Sequence, residues 1–205
     1  MAKELDLTII QGKTFKDILR WEIDPIVRKP ITAIDLSTGC PRPTVAGHGI
    51  PTGWRVAAYN VAQPKEINAK NNPPRDSDYT PATVIDANTL ELNKISAVGW
   101  KPYTSGGFVQ WNTPKDLTDY TFRMKIKDRV GGNIIASTEA ADSPLNTITI
   151  TVDNVLKTIT RTISATATAA MAKRTGTYDI EAVSGTGEVT LLAYGPVSIE
   201  REVTT

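Results

Sequence analysis

Gly176-Thr177-Tyr178-Asp179-Ile180-Glu181 is the stretch on which the fold turns. Ahead of it lies a short Ala/Thr run, Ser164 to Met171, too small for a full helix. Behind it, Ser184-Gly185-Thr186-Gly187 makes a tight turn and Glu188 to Tyr194 reads as a strand. A strand, a cramped corner, then Gly-x-Tyr opening the next strand is how a β-sandwich crosses from one sheet to the other. In such a crossing the Tyr178 hydroxyl is expected to bond back to the corner backbone.

Working outward, Val197, Ile199 and Val203 make the last strand, with Glu200 and Glu202 facing solvent. Upstream, Tyr120, Phe122, Met124 and Ile126 alternate with Thr121, Arg123, Lys125 and Lys127, so one face is buried and the other wet. Gly131-Gly132 turns this strand into Asn133 to Thr138. Ile148, Ile150 and Val152, then Ile159 and Ile163, continue the period of two. Turns arrive every 8 to 12 residues or so, which is sandwich or barrel spacing. No helix longer than two turns is expected. At the start, Leu5, Leu7 and Ile9 alternate with polar residues, and Gly12-Lys13 turns the chain. Phe15 to Ile23 reads as a second strand ending at Asp24-Pro25, because a residue before proline is pushed out of helix. Val27 to Pro30 reads as a linker.

From Ile31 the texture changes to dense Pro and Gly punctuation. Trp54 to Val61 is a strand. Gln63 to Asp78, with Pro73-Pro74, reads as an exposed polar loop. Asp86-Ala87-Asn88 sits between two short apolar runs, a hairpin signal. Residues 31–113 therefore form a small β-rich, barrel-like domain. Two strands alone are marginal in water, so residues 1–30 are expected to join 114–205 in one sandwich. The middle domain is then an insertion at a surface turn, where insertions are tolerated. The alternative is two sequential domains, with the first strands packed on the middle segment. The fold class is all-β: an antiparallel sandwich carrying an inserted small β-domain.

The 205 residues allow one or two domains, and 40% hydrophobic content is enough for a core. A net charge of +1 gives no basic footprint for nucleic acid. One cysteine, Cys40, excludes an internal disulfide framework. The first residues have no apolar signal region, and no run approaches the roughly 18 to 20 residues of a membrane helix. These features point to a soluble product made in a cytoplasm, with no nucleic-acid or membrane partner.

Two motif sets carry a resemblance. Asp116-Leu117-Thr118-Asp119-Tyr120-Thr121-Phe122-Arg123-Met124, together with Gly176-x-Tyr178-Asp179-Ile180-Glu181, Gly187-Glu188-Val189, Leu191-Leu192 and Val203-Thr204, resembles small tailed-phage virion proteins. It is similar to the immunoglobulin-like N-terminal module of phage baseplate upper proteins and tail accessory proteins. That family usually has Gly where Asp119 stands, a tolerable swap in a turn. His48-Gly49-Ile50-Pro51-Thr52-Gly53, Ile67-Asn68, Thr83-Val84-Ile85-Asp86-Ala87-Asn88-Thr89-Leu90-Glu91-Leu92 and Tyr103-Thr104-Ser105-Gly106-Gly107 resemble a second phage module. That module is called after the first catalytic cysteine half-domain of ubiquitin-activating enzyme. The likeness is one of fold, and nothing in the residues suggests ubiquitin chemistry. The resemblance implies an immunoglobulin-like sandwich in a virion tail, baseplate or collar, assembled with other virion proteins and with copies of itself in a ring or trimer.

No catalytic, cofactor or metal residue is assigned, and no enzyme activity is expected. His48 and Cys40 are single residues among Gly, Pro and Thr, and nothing in the sequence places them together as a nucleophile pair would need. Asn71, Asn72, Asp76 and Asp78 lack the spaced oxygen ligands of a calcium loop. Gly106-Gly107 and Gly131-Gly132 have no helix start after them to aim N–H groups at a phosphate, so both read as hairpin turns. Trp54, Tyr59, Trp100, Tyr103 and Trp111 are either the core of the small domain or a sugar-stacking platform. Core is favoured for most of them, and Trp21 reads as core of the sandwich. A carbohydrate-binding module contacting the host surface is the competing function. Candidate contact loops for assembly are Gln63 to Asp78 and Glu139 to Leu145.

Overall fold

A computed structural model describes residues 2–172 and 174–202. The chain divides into two compact units, Met1–Trp21 with Asp116–Thr205, and Glu22–Lys115. The first unit opens with β1 (Lys3–Glu4), β2 (Leu7–Ile10) and β3 (Phe15–Leu19). The second contains β4 (Glu22–Pro30), β5 (Ala33–Asp35), β6 (Arg42–Thr44), β7 (Arg55–Val61), β8 (Thr80–Pro81), β9 (Thr83–Val84), β10 (Leu90–Glu91) and β11 (Gly106–Pro114). The chain returns to the first unit as β12 (Thr121–Lys127), β13 (Ile134–Ser137), β14 (Ile148–Asp153) and β15 (Thr158–Ile163). Helix α1 (Ala165–Ala170) and strands β16 (Arg174–Val183) and β17 (Val189–Glu200) complete it.

The first unit is a sandwich. One sheet runs β1-β17-β16-β12-β13, with β2 also on the β17 edge; the other runs β14-β15-β3. Both β1 and β2 lie parallel to β17, and every other pairing in the unit is antiparallel. With β3, β15 and β14 in one sheet and β12, β16 and β17 in the other, the order matches the B-E-D and C-F-G sheets of an immunoglobulin-type sandwich. The inserted unit then occupies the B-to-C connection. Alternation decides which residues meet between the sheets: Met124, Ile126, Ile159, Ile163, Ile180, Val197 and Ile199 are all buried in one core.

The crossing read from the sequence is present, since β15 ends in one sheet and β16 begins in the other. The Ala/Thr run forms α1 as the corner. The Ser164 hydroxyl caps it by accepting from the Ala167 N–H at 3.2 Å, and the Thr168 hydroxyl donates to the Lys13 carbonyl at 2.8 Å. The expected hydroxyl bond from Tyr178 is not made. Its ring is buried under the Arg161 guanidinium, 5.3 Å from the centroid, and its hydroxyl has no hydrogen-bond partner among the described residues. The corner is closed by Ser164 and Thr168 instead. Val203 and Thr204, read as part of the last strand and of the resemblance, lie outside the described residues.

The unit boundary falls earlier than the sequence suggests. The second strand stops at Leu19, and Trp21 packs edge-on against Tyr120 with ring centroids 5.1 Å apart. Residues 22–30, expected to finish a sandwich strand and then act as linker, instead form β4, which pairs with β11 from Glu22–Pro114 to Pro30–Phe108. Asp24-Pro25 does not end the strand because the register shifts opposite it, between Asn112 and Thr113. A bulge is one of the few places a strand admits proline. Entry and exit strands of the insertion are thus each other's neighbours, which suits insertion at a turn.

The strands expected separately around Tyr194 and Val197 are one, β17. Gly195 is needed there for close approach: a Cβ at this position would run into the Leu5 carbonyl. Gly195→Ala is therefore expected to lift β1 off β17, at about 1 to 3 kcal/mol. Hydrogen exchange checks this: the Leu5 amide, which donates to the Tyr194 carbonyl at 2.9 Å, should lose its protection first.

The second unit is a four-stranded sheet, β4-β11-β7-β8, with the hairpin ladders β5-β6 and β9-β10. Its core gathers Trp54, Val56, Leu90, Leu92, Val109 and Trp111. Trp54 is fully buried, and its indole N–H donates to the Asn112 carbonyl at 2.8 Å.

Candidate interaction surface

The opening motif assigns each of its residues a place. Gly176 lets β16 approach β12, since a Cβ there would sit 2.5 Å from the Lys127 carbonyl. Tyr178 and Ile180 point into the core. Thr177, Asp179 and Glu181 point outward, beside the outward row of β12: Arg123 is opposite Glu181, Lys125 opposite Asp179 and Lys127 opposite Thr177. The Arg123 Nε bonds the Glu181 carboxylate at 2.6 Å. Lys125 reaches Glu139 at 2.6 Å and Asp142 at 3.0 Å. These bonds raise the Arg123 and Lys125 pKa values above their ordinary positions. Desolvation, with Glu181 alongside, pushes the Asp179 carboxyl up.

This face is concave, about 580 Å³, between the β12–β13 hairpin at Val130 and Gly131 and the β17 side chains Leu191 and Tyr194. Val130 is 89% exposed, Tyr194 42% and Leu191 40%. The far edge of β17 is covered by β1 and β2, whereas β13, β14 and β3 end their sheets, the Ser137 amide of β13 being taken by the Leu145 carbonyl at 2.8 Å. Unpaired edge groups can accept a strand from another chain.

Of the two candidate loops, 139–145 lies near this face. Lys125 ties its base through Glu139 and Asp142, and residues 143–146 are exposed. The other, 63–78, is not the free polar loop expected. Ile67 is buried. The Asn68 side chain accepts from the Val61 N–H at 2.8 Å and donates to the Val61 carbonyl at 2.9 Å, standing in for a strand on the β7 edge. The Ala69 N–H donates to the Ala58 carbonyl at 2.7 Å. Asp76 pairs with Arg55 at 2.6 Å, and Arg55 also holds Glu22 and lies over the Tyr79 ring. Asp78 accepts from the Arg75 N–H at 2.8 Å and from the Asn71 amide at 3.0 Å, which hold its carboxyl below the usual range. The Asp76 and Asp78 carboxylates weighed as calcium ligands thus have partners within the protein, and the Asn71 and Asn72 amides donate to Asp78 and to the Asn60 side-chain oxygen. Among the described residues, no three His, Cys, Asp or Glu side chains converge as a metal site.

His48 is buried and both ring nitrogens meet backbone: Nε2 the Asp86 carbonyl at 2.8 Å, Nδ1 the Ile50 N–H at 3.3 Å. It pins one turn to another. Cys40 is a half-buried free thiol. Gly131 has positive φ in a hairpin turn, whereas Gly106 and Gly107, read as a hairpin turn, also have positive φ but lie in β11, where Gly106 pairs with Val61. Trp54, Tyr59 and Trp111 are buried, and Trp100 and Tyr103 pack against the same core. The Tyr103 hydroxyl donates to backbone carbonyls of Ile31 at 3.0 Å and Gly106 at 2.9 Å. The residues proposed for a sugar platform are therefore core or half-buried. Trp21 likewise packs on the sandwich core.

The Asp116 motif holds a hairpin tip. The Asn154 amide donates to the Asp116 carboxylate at 2.8 Å and accepts from the Leu117 N–H at 2.8 Å, and Lys157 bonds Asn154 at 2.7 Å. The Asn154 amide, followed by the Thr118 N–H, holds the Asp116 carboxyl well below the usual range. A carboxyl with a depressed folded pKa stabilises above its unfolded pKa, and that contribution is lost as pH falls through the folded value. The tip should therefore stay closed at neutral pH and loosen in strong acid, below about pH 4. Asp116→Ala should loosen it at neutral pH and flatten that acid dependence, read as faster exchange of the Leu117 amide. Sequence reasoning also missed Arg161, 1% exposed, although it shares the parity of Ile159 and Ile163 and so had to face inward.

No protein-family model matches the chain, and no curated protein matches it.

Proposed function

We propose that this chain is a non-enzymatic structural protein of a tailed-phage virion, placed in the tail, baseplate or collar. It acts by protein–protein assembly with other virion proteins and with copies of itself. The observation that carries this reading is the outward face of β12, β16 and β17, where rows of opposite charge lie between two exposed apolar rims. Exposed apolar side chains mark candidate contact sites, and rows of charge set register and partner choice. The motif resemblance supplies the context, and its residues are those that shape this face and its hairpins. The sugar-binding alternative needs exposed aromatics, and burial of Trp54 and Trp111 argues against it.

The test is fractionation and imaging of intact particles with a label on this chain. The expected result is a stoichiometric band in the particle fraction and label on one ring or protrusion. A 22.2 kDa chain that never sediments with particles overturns the proposal.

A further inference from the structure

The face just described contains two charged groups that bond to nothing among the described residues, although Lys127 acts on Asp179 through space. Lys127 and Asp179 have no ion pair or side-chain hydrogen bond among the described residues, whereas their neighbours Arg123, Lys125 and Glu181 are paired. Both unpaired groups line the concavity. Its two rows are in register across one ladder: Arg123 stands opposite Glu181 and Lys125 opposite Asp179, while Lys127 stands opposite Thr177, one diagonal step from Asp179.

That arrangement is self-complementary under one operation. A half-turn about an axis parallel to the strands, running between β12 and β16, lays the basic row of one copy over the acidic row of the other. Residues keep their level along the strands, so Lys125 meets the Asp179 position of the second copy. Lys127 lies one step further along the strand, about 7 Å from that level, and its four-carbon stem extends toward the carboxylate. Aligned sheets pack about 30° off parallel, a rotation that disturbs the middle of the rows least. The same half-turn brings the Val130 rim toward the rim made by Leu191 and Tyr194. A half-turn makes the contact isologous: the same patch serves both copies.

We infer that the outer face of β12-β16-β17 binds a second copy of this chain, back to back, with Lys127 of each copy answering Asp179 of the other. This rests on the assembly reading above and names its partner.

The experiment uses the full chain and sedimentation equilibrium. Wild type should associate to twice 22.2 kDa. Lys127→Glu and Asp179→Lys should each weaken association by about tenfold per contact, since like charges then face each other twice. Mixed one to one, the two variants should associate again, because every contact in the mixed pair joins opposite charges. Recovery on mixing also shows that both variants fold. A monomeric wild type overturns the inference. So does a mixture that stays monomeric while each variant keeps the wild-type β-sheet circular dichroism. Particle fractionation of the same variants separates the two readings. A monomeric chain that still sediments with particles, and loses them on reversal of Lys127, gives the face to another virion protein: the self-contact falls and the assembly role stands. Loss of the assembly role itself needs a wild-type chain absent from particles.

Discussion

Asp17→Ala should destabilise the sandwich by about 3 kcal/mol. Arg161 is buried between the sheets and its guanidinium has one carboxylate partner, Asp17 on the neighbouring strand β3. Among the described residues its Nε has no hydrogen-bond partner, and Nη1 reaches the Met124 sulfur at 4.0 Å. Removing Asp17 leaves a buried charge uncompensated, which is the expensive way to break an ion pair. The Asp17 side chain is 38% exposed, so water relieves part of the loss and the effect falls at the low end of the range for such pairs. The opposite substitution should behave differently. Arg161→Met removes the charge and the unpartnered Nε together, and the Tyr178 ring above it keeps an apolar neighbour. That variant should be near neutral or more stable, leaving Asp17 free to turn toward solvent. Urea titration of the two variants decides: a large loss for Asp17→Ala beside a small change for Arg161→Met is the expected pair. Equal large losses would mean that the guanidinium contributes more to the core than its charge costs.

Trp54→Ala should remove about 3 to 5 kcal/mol from the second unit and leave the first unchanged. Trp54 is fully buried at the centre of that core, and its N–H satisfies the Asn112 carbonyl on β11. Truncation creates the largest single cavity available in the unit and orphans that carbonyl at once. A loss of this size approaches the whole stability of a domain of such length. Because the sandwich has its own core, amide exchange in β15 and β16 should stay at wild-type rates while protection in β7 and β11 collapses. Simultaneous loss in both units would show that they unfold as one.

The strands that were easiest to read are those with one wet and one dry face. In β12 the alternation of Met124 and Ile126 with Arg123, Lys125 and Lys127 contains both the core and the charged face. The sheet crossing was legible because Ser164, the Ala/Thr run and Gly176-x-Tyr178 leave a chain little room for anything else. What was not legible depended on a partner far away in sequence. Proline at position 25 signals a stop, and only the shifted register of β11 turns that stop into a bulge. Residues 63–78 look like solvent-facing polar chain, and only the free edge of β7 gives Asn68 a backbone to grip. The Tyr178 hydroxyl was expected at the corner; Arg161, inward by the same parity that buries Ile159 and Ile163, took the place over its ring. The charged face followed from period two, but its concavity did not, since that depends on how far the β12–β13 hairpin and Tyr194 rise above the sheet.

One sandwich is assembled from the two outer parts of the chain, with residues 22–115 as a separate unit set into the β3–β12 connection. Excising that unit and joining Trp21 to Asp116 through a short Gly/Ser linker tests this most directly, read by hydrogen exchange across the shortened chain. The expected result is a folded β-protein with one cooperative transition and protected amides in β3, β15 and β16. A shortened chain that stays unfolded while the intact one folds would contradict it, because residues 1–21 would then owe their place to the segment removed.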